Sequence, residues 1–453
     1  MSLNAALLNS LSGLQTTQQQ IDVASRNLVN ATTPGYTRKT REQLPMVVAG
    51  QGQGVDLGRL SRTVDAGVQR SMRESTSRVA GYETAEAFHT RFETMFGKPG
   101  DEGSLSGRLN ALGTAFDALS VNPEVPVNQM TVINAAENVV QTLHGLYAAA
   151  DVERGDARAQ LTTTVERIND TLGKIDQLNA MISSRAATRQ ETADIEDQRD
   201  ILMDSLAADI DYKYFTRENN QVVILTSAGQ VMLDDEVNTL SLDPSGNVTQ
   251  TVRNEIRTLT FSAGRVSALQ TIINDSIPTL QQKLDEVARA VTDELAAIDL
   301  PLFNVGGTAP LTPPDVAGYG RTIAVNDAIK ADLTLLRGTP PTEIGDDTVA
   351  LAAAALFSRD DIAFGAGLSA TGSLAGAGAQ VITGFANDKT NITLQRSYQT
   401  TLQSSLQKQL SDQSGVNIDQ ELSTTIVLQT SYMAATRMVQ TTQKLFDALF
   451  EMV

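Results

Sequence analysis

The chain has 453 residues, 41% of them hydrophobic and only 4% aromatic, with no Trp, no Cys and a formal net charge of −18. That length allows several domains. The composition excludes disulfides, thiolate metal sites and thiol nucleophiles, and it lacks the clustered cations that nucleic-acid phosphates need.

The charge is unevenly placed. Residues 1–100 carry 11 Lys/Arg against 8 Asp/Glu, a balance of +3, so the acidity lies beyond Asp101. The arginines between Arg59 and Arg78, interleaved with Asp65 and Glu74, read as an exposed mixed face. No window approaches the ~18 apolar residues of a membrane helix, so no membrane contact is expected. MSLNAALLNS has neither the basic n-region nor the cleavage site of a secretory signal. Export, if it occurs, must use another route.

The first element is a heptad helix. Leu7, Leu14, Ile21 and Leu28 recur every seven residues, with Leu3, Ser10, Thr17, Ala24 and Ala31 in the companion row. This is a weak a/d seam with small or polar residues at d. Its outer side is nearly uncharged, with Gln15, Gln18, Gln19 and Gln20. Such a helix wants a partner. NLVNATTPGYTR (27–38) ends it: Thr33 before Pro34 is pushed out of the α region, and Gly35 permits a positive φ. Residues 47–65 read as a hairpin or loop with Gly50, Gly52 and Gly54 in the turn. They lack the ending of a phosphate loop.

A short helix carries Leu105, Leu109, Leu112, Phe116 and Leu119. The longest signal follows: Ile133, Val140, Tyr147, Leu161, Ile168, Ile175 and Ile182 share one seven-residue grid, broken at Arg154. This predicts a rod-like helix, straight or bent near Gly155. Another helix is expected over 191–210. Residues 211–266 read as a small antiparallel module with turns near Asn219–Asn220 and Ala228–Gly229. Asp234, Asp235 and Glu236 lack cation-loop spacing and read as an acidic turn. Helical period returns from Ile277 to Ile298, with Ser276 as cap and Pro278 in the first turn. Residues 301–345, rich in Pro and Gly, read as loop. A helix over 387–412 carries Leu394, Tyr398, Leu402, Leu406 and Leu410.

The last helix follows Gly415, with Asn417 and Gln420 resembling a capping box. It bears two adjoining stripes: Ile418, Leu422, Tyr432, Val439, Phe446 and Phe450, and Leu428, Ala435, Met438, Leu445 and Leu449. That width predicts contacts on more than one side. The two terminal helices are too weak alone to offset their ordering entropy. They are expected to pair with each other and to pack against further copies. No catalytic, metal or cofactor constellation is present: His89 and His144 form no H-E-x-x-H pair, no G-x-S-x-G elbow occurs, and Tyr36 and Tyr432 read as packing residues.

NLVNATTPGYTR resembles the N-terminal signature of bacterial flagellar axial proteins, through Asn30, Thr33, Pro34, Gly35 and Tyr36. GQGVDLGRLSRTVD resembles the segment that follows it in those proteins. Three further stretches resemble the FlgK family: ADIEDQRDILMDSLAADI with Asp197, Arg199 and Asp200; TLQQKLDEVARAVTDELAAID; and SGVNIDQE, Ser414 to Asp419 with Glu421. The resemblance implies a mainly α fold with a small β module. Its terminal coiled coil would comprise 1–32 and 414–453, its long helical bundle 33–210, 267–300 and 346–413, and its outer β/loop module 211–266 and 301–345. The extra outer β domain of longer members is expected to be missing. It also implies a non-enzymatic structural subunit at the hook–filament junction, outside the cell, exported by the flagellar type III route without a cleaved signal. Implied partners are further copies, hook protein, the second junction protein and a FlgN-type chaperone at the C-terminal region. The assembly interface would comprise Leu7, Leu14, Ile21, Leu28, Asn30, Thr33, Pro34, Gly35, Tyr36, Ile418, Leu422, Leu428, Tyr432, Val439, Leu445, Phe446 and Phe450. Flagellin or the second junction protein is the alternative within the same class, and the presence of TPGY and SGVNID argues against flagellin. A coiled-coil adhesin or phage-tail component, or an enzyme within 211–345, is the contrasting expectation.

Overall fold

The computed structural model describes residues 3–48, 51–98, 100–305 and 317–451, and the side chains at 48, 51, 52, 449 and 450 fall outside that description. The fold is 66% helical with small antiparallel sheets.

Helix α1 (Leu3–Val29) leads into a hairpin of β1 (Lys39–Val48) and β2 (Gln51–Arg62). The hairpin is longer than expected. Gly52 pairs with Val47 inside the ladder, so Gly52 and Gly54 belong to a strand, not to the turn. Gly50 lies outside the described residues. Helix α2 (Ala66–Phe96) starts on Asp65, whose carboxylate accepts from the Gly67 and Val68 amides. Such a cap stabilises by about 1 kcal/mol. Helix α3 (Leu105–Val121) is capped in the same way by Ser104.

Helix α4 (Pro126–Ala187) runs 62 residues without interruption, a rod of roughly 93 Å at ~1.5 Å per residue. All seven residues of its heptad grid are buried. At the break in that grid, Arg154 donates to Gln281 at 2.5 Å. The helix continues through Gly155 without a break. Helix α5 (Ala193–Asp209) returns along the C-terminal half of the rod.

Six strands follow: β3 (Tyr212–Thr216), β4 (Val222–Thr226) and β5 (Val231–Leu233) form one sheet, and β6 (Leu240–Leu242), β7 (Val248–Val252) and β8 (Glu255–Thr258) the other. Two asparagines of α4 dock these sheets. Asn179 exchanges hydrogen bonds with the Val222 backbone (2.9 and 3.0 Å), and Asn169 does so with Leu240 (both 2.9 Å). Each side-chain amide stands in for a strand neighbour and satisfies otherwise open backbone groups. Arg217 lies between Asp234 and Asp235, so the acidic turn is an ion-paired one.

Helix α6 (Gly264–Thr271) passes through a π-helical turn, Ile272–Ser276, into α7 (Ile277–Ala296). Ser276 has helical φ and ψ and makes no capping bond, contrary to the sequence expectation. The helix begins a dozen residues earlier. The wider π turn sits where Pro278 removes an amide hydrogen from the ladder.

Residues 301–345 contain more structure than a loop. Strand β9 (Phe303–Val305) pairs with β10 (Ile323–Val325), flanked by the short α8 (Tyr319–Thr322) and α9 (Asp327–Ala331) and a 3-10 turn over Leu333–Arg337. Phe303, Tyr319, Ile323 and Leu336 are buried in the main core. The Asp285 carboxylate fastens this segment. It accepts from Gly318 N–H (2.9 Å), Gly320 N–H (2.8 Å) and Tyr147 O–H (2.9 Å). Helix α10 (Thr348–Ser358) packs on α3, with Phe357 over Gly113 and stacked 5.9 Å from Phe116. A short pair, β11 (Ile362–Ala363) and β12 (Thr371–Gly372), precedes α11 (Leu374–Ser414), which lies along α2. Phe385 of α11 completes a cluster with Phe88, Phe92 and Phe96. Helix α12 (Ile418–Glu451) closes the chain beside α1.

Candidate assembly interface

The chain leaves α1 through two consecutive turns. Thr33 N–H donates to Asn30 C=O at 2.9 Å, and Tyr36 N–H to Thr33 C=O at 3.2 Å. Pro34 and Gly35 are the central residues of the second turn, and Gly35 has φ +77°. This is the type II arrangement, in which proline presets the first centre and glycine supplies the positive φ of the second. A Cβ at Gly35 would also collide with the Ile201 side chain of α5. Thr33, Pro34 and Gly35 are exposed. Their contribution is to direct the chain, not to bury surface.

Behind the turn, one buried asparagine ties three segments together. Asn27 Oδ1 accepts from Tyr36 O–H (3.0 Å) and Lys39 N–H (3.0 Å), and its amide donates to Lys39 C=O (2.8 Å). The same amide reaches Glu421 of α12 at 3.4 Å. Glu421 accepts from Arg38 at 2.6 Å, and Arg38 N–H donates to Ser414 C=O at 2.8 Å. The start of the last helix is therefore pinned to the exit of the first. Asn417 supplies half of the expected capping box, accepting from Gln420 N–H at 3.1 Å.

A ladder of opposite charges extends from this joint into the body. Helix α5 presents Asp194, Asp197, Asp200 and Asp204 at spacings of three and four, along one side. Lys39 bonds Asp194 and reaches Asp197 at 3.1 Å. Arg62 meets Glu196 (2.9 Å), Asp197 (3.0 Å) and Asp200 (2.6 Å). Arg73 meets Asp200 (3.1 Å) and Asp204 (2.7 Å). Thr37 Oγ1 donates to Asp197 at 2.6 Å. Burial pushes the Asp200 carboxyl up, but Arg62 and Arg73 outweigh it and hold it below the usual range. For Asp204 burial wins over Arg73, and its carboxyl is raised. Burial lowers the Lys39 ammonium, but bonds to Asp194 and Asp197 leave it raised overall. Its Nζ also lies 3.9 Å from the centre of the Tyr36 ring. Tyr36 is thus a packing and hydrogen-bonding residue.

Arg62 and Arg73 correct the reading of residues 59–78 as a solvated face. Arg59, Arg70 and Arg78 are exposed, but Arg73 is buried and Arg62 largely so. The basic N-terminal hundred residues meet the acidic remainder here.

Beyond the joint, α1 and α12 pack side by side. Leu7, Leu14, Ile21, Leu28 and Asn30 are half-buried, with Thr16, Thr17, Val23, Ala24 and Asn27 buried beside them. Val23 packs on Leu60 of β2 and Ala193 of α5. On α12, Leu428, Tyr432, Val439 and Phe446 form one half-buried row, with Glu421 and Thr442 buried on the same side. Ile418, Leu422 and Leu445 are exposed instead. Ile426 (63%) and Met433 extend the row of Ile418 and Leu422, while Val427 (62%) and Met438 extend that of Leu445. At 100° per residue these two exposed rows flank the α1-facing row. The Phe450 side chain lies outside the described residues.

Asn27, Lys39, Arg62, Arg73 and Glu421 organise the joint, and only Glu421 was singled out from sequence. The one local signal was the acidic three–four spacing on α5. Each cationic partner lies more than a hundred residues away.

Comparison with known proteins follows this geometry. Residues 89–299 match the flagellar hook-associated protein FlgK helical domain. Residues 7–37 match the flagella basal body rod protein model, and 407–452 match the flagellar basal body rod FlgEFG C-terminal model. Flagellar hook-associated protein 1 of Bacillus subtilis is 24% identical over 233 residues, 49% of this chain and 46% of that protein. Its Salmonella typhimurium counterpart is 21% identical over 351 residues, 74% of this chain and 63% of that protein. The chain thus spans about half to three-fifths of the length of these relatives. The structure of the flagellar hook junction protein FlgK from Burkholderia pseudomallei superposes with a TM-score of 0.62 at 13% identity, covering 75% of this chain and 99% of that one. That superposition shows the shared fold. The helical-domain match over just under half of the chain, with the axial-protein matches at both ends, makes the chain similar to FlgK hook-associated proteins.

Proposed function

We propose that this chain is a structural axial subunit that polymerises at the hook tip and forms the junction on which the filament starts. The carrying observation is α12: one side is covered by α1, and two apolar rows beside it stay open. A helix apolar on three sides fits a nested tube, in which neighbouring copies supply the missing cover. Residues 422–436 carry no charge, nor do residues 1–21. A subunit of net charge −18 can stack on itself most readily through such neutral segments.

In this reading 1–32 and 414–453 form the inner tube, and the two turns at 30–36 mark the passage to the bundle of 33–210, 267–300 and 346–413. Residues 211–266 and 301–345 form the outer module. Hook protein and the second junction protein are the axial neighbours, and a FlgN-type chaperone holds the C-terminal region before export. The subunit has no catalytic role and resides outside the cell, reached through type III export. Among the described residues no helix is long and apolar enough to cross a membrane.

Purified chain added to hooks from cells that lack it tests the reading. The expected result is a cap of bound protein at the hook tip and filament growth on adding the second junction protein and flagellin. Hooks that seed filaments equally well without the chain would refute it.

A further inference from the structure

Helix α11 carries an apolar stripe that the body does not use. Its other side packs on α2: Ser75 donates to Gln399 C=O at 3.2 Å, Gln403 to Thr76 at 3.0 Å and Thr393 to Glu86 at 2.8 Å. Facing outward, Leu394 and Tyr398 are each 63% exposed, and Leu402 follows one turn on. Residues 397–407 contain no charge. The β1–β2 hairpin presents a second uncovered surface, Leu44, Met46 and Val47, beside a register shift between Pro45 and Val47. Residues 43–55 are also charge-free.

These surfaces lie on opposite sides of the joint. The hairpin tip is held against the early part of α1, where Val55 N–H donates to Ser12 Oγ at 3.2 Å. Ser12 precedes Asn27 by about 22 Å of helix, and Tyr398 precedes Ser414 by about 24 Å of a helix lying in the body. Among the described residues no hydrogen bond or ion pair links Leu44, Met46 or Val47 to Leu394, Tyr398 or Leu402.

We propose that the outward stripe of α11 is a docking surface for a second copy of this chain, which seats the apolar hairpin tip there. The inference rests on the polymerising-subunit reading. Charge selects the occupant. A copy at −18 is repelled by net charge over most of the surface, and two neutral apolar patches are where copies approach without desolvating ions. A charged partner would find no counter-charge on the stripe. The contact joins two different patches, so it is heterologous and propagates from copy to copy, as a ring or an open helix, instead of closing as a two-fold dimer.

The absence of cysteine makes the test direct. Cells make Val47→Cys and Tyr398→Cys chains together, and isolated flagella are oxidised mildly. An Ile426→Cys and Val427→Cys pair reports terminal-helix contacts between copies in parallel. The expected result is a disulfide-linked dimer from the 47/398 mixture and none from either variant alone. If the 426/427 pair links and the 47/398 pair does not, the docking is overturned and the subunit reading stands. If the chain is absent from hook tips altogether, both fall.

Discussion

Asp197 is 5% exposed and serves Thr37, Lys39 and Arg62 at once. Removing one member of a buried ionic set leaves its partners uncompensated, at about 3–5 kcal/mol. Asp197→Ala should therefore lower urea-unfolding stability by about that amount, and a loss under about 1 kcal/mol would show the ladder to be ornamental. Two titrations belong to separate pH windows. The folded Asp200 carboxyl is held low, so the unfolded chain binds its proton first as pH drops below about 3.9. The stability it confers is present above that value and lost as pH falls towards the folded value. Asp200→Asn should flatten stability against pH between about 5 and 3. Burial pushes the His89 imidazole down, more than nearby Asp388 raises it. The unfolded chain then takes up a proton below about 6.5 that the folded chain resists. Stability should fall between pH 7 and 5, and His89→Gln should remove that part of the slope. These residues were poorly legible in sequence. Asp197, Arg199 and Asp200 stood out only through a family resemblance, and nothing local tells that Lys39 and Arg62 come to meet the first and Arg73 the last.

At the scale of elements, periodicity served where burial is apolar. The α4 grid runs from Ile133 to Ile182 and is buried at every position but Arg154. Helix α2 escaped as an element because much of its inner side is polar: Gln69, Arg73, Ser75 and Ser77 are buried there, bonded to α5 and α11 or packed between them. The first turns of α11, LAGAGAQVITG, lie ahead of the helix expected over 387–412, where glycine lowers helix propensity. Packing overrides it. A Cβ at Gly378 would already press on Leu105, Ser106 and Leu109 of α3 at 3.2–3.3 Å, so Gly378→Leu should destabilise by about 1–3 kcal/mol. The terminal helices differ from the body in having few buried residues: among those described on α12, only Glu421 and Thr442. Hydrogen exchange should show residues 3–21 and 425–445 opening well before α4 in the monomer, and becoming protected in assembled flagella. Equal protection in both states would mean that neighbours add no cover.

As a whole molecule, the chain couples a well-filled body to a thin helical pair through one polar joint. The main core runs continuously from Phe88 to Ile382 and excludes α1, α12 and the hairpin. The helical pair instead leaves apolar rows exposed on α12. That division was legible in the weak N-terminal seam and the over-wide C-terminal stripe. The packing of residues 301–345 was not, because their hold on the core comes from Asp285 receiving two distant backbone amides. In the proposed function, filament growth starts on this subunit. Deleting its gene in the encoding bacterium and imaging the flagella measures that directly. The expected result is hooks without filaments and unpolymerised flagellin in the medium, both reversed by the wild-type gene. Normal filaments on the hooks of the deletion strain would contradict it.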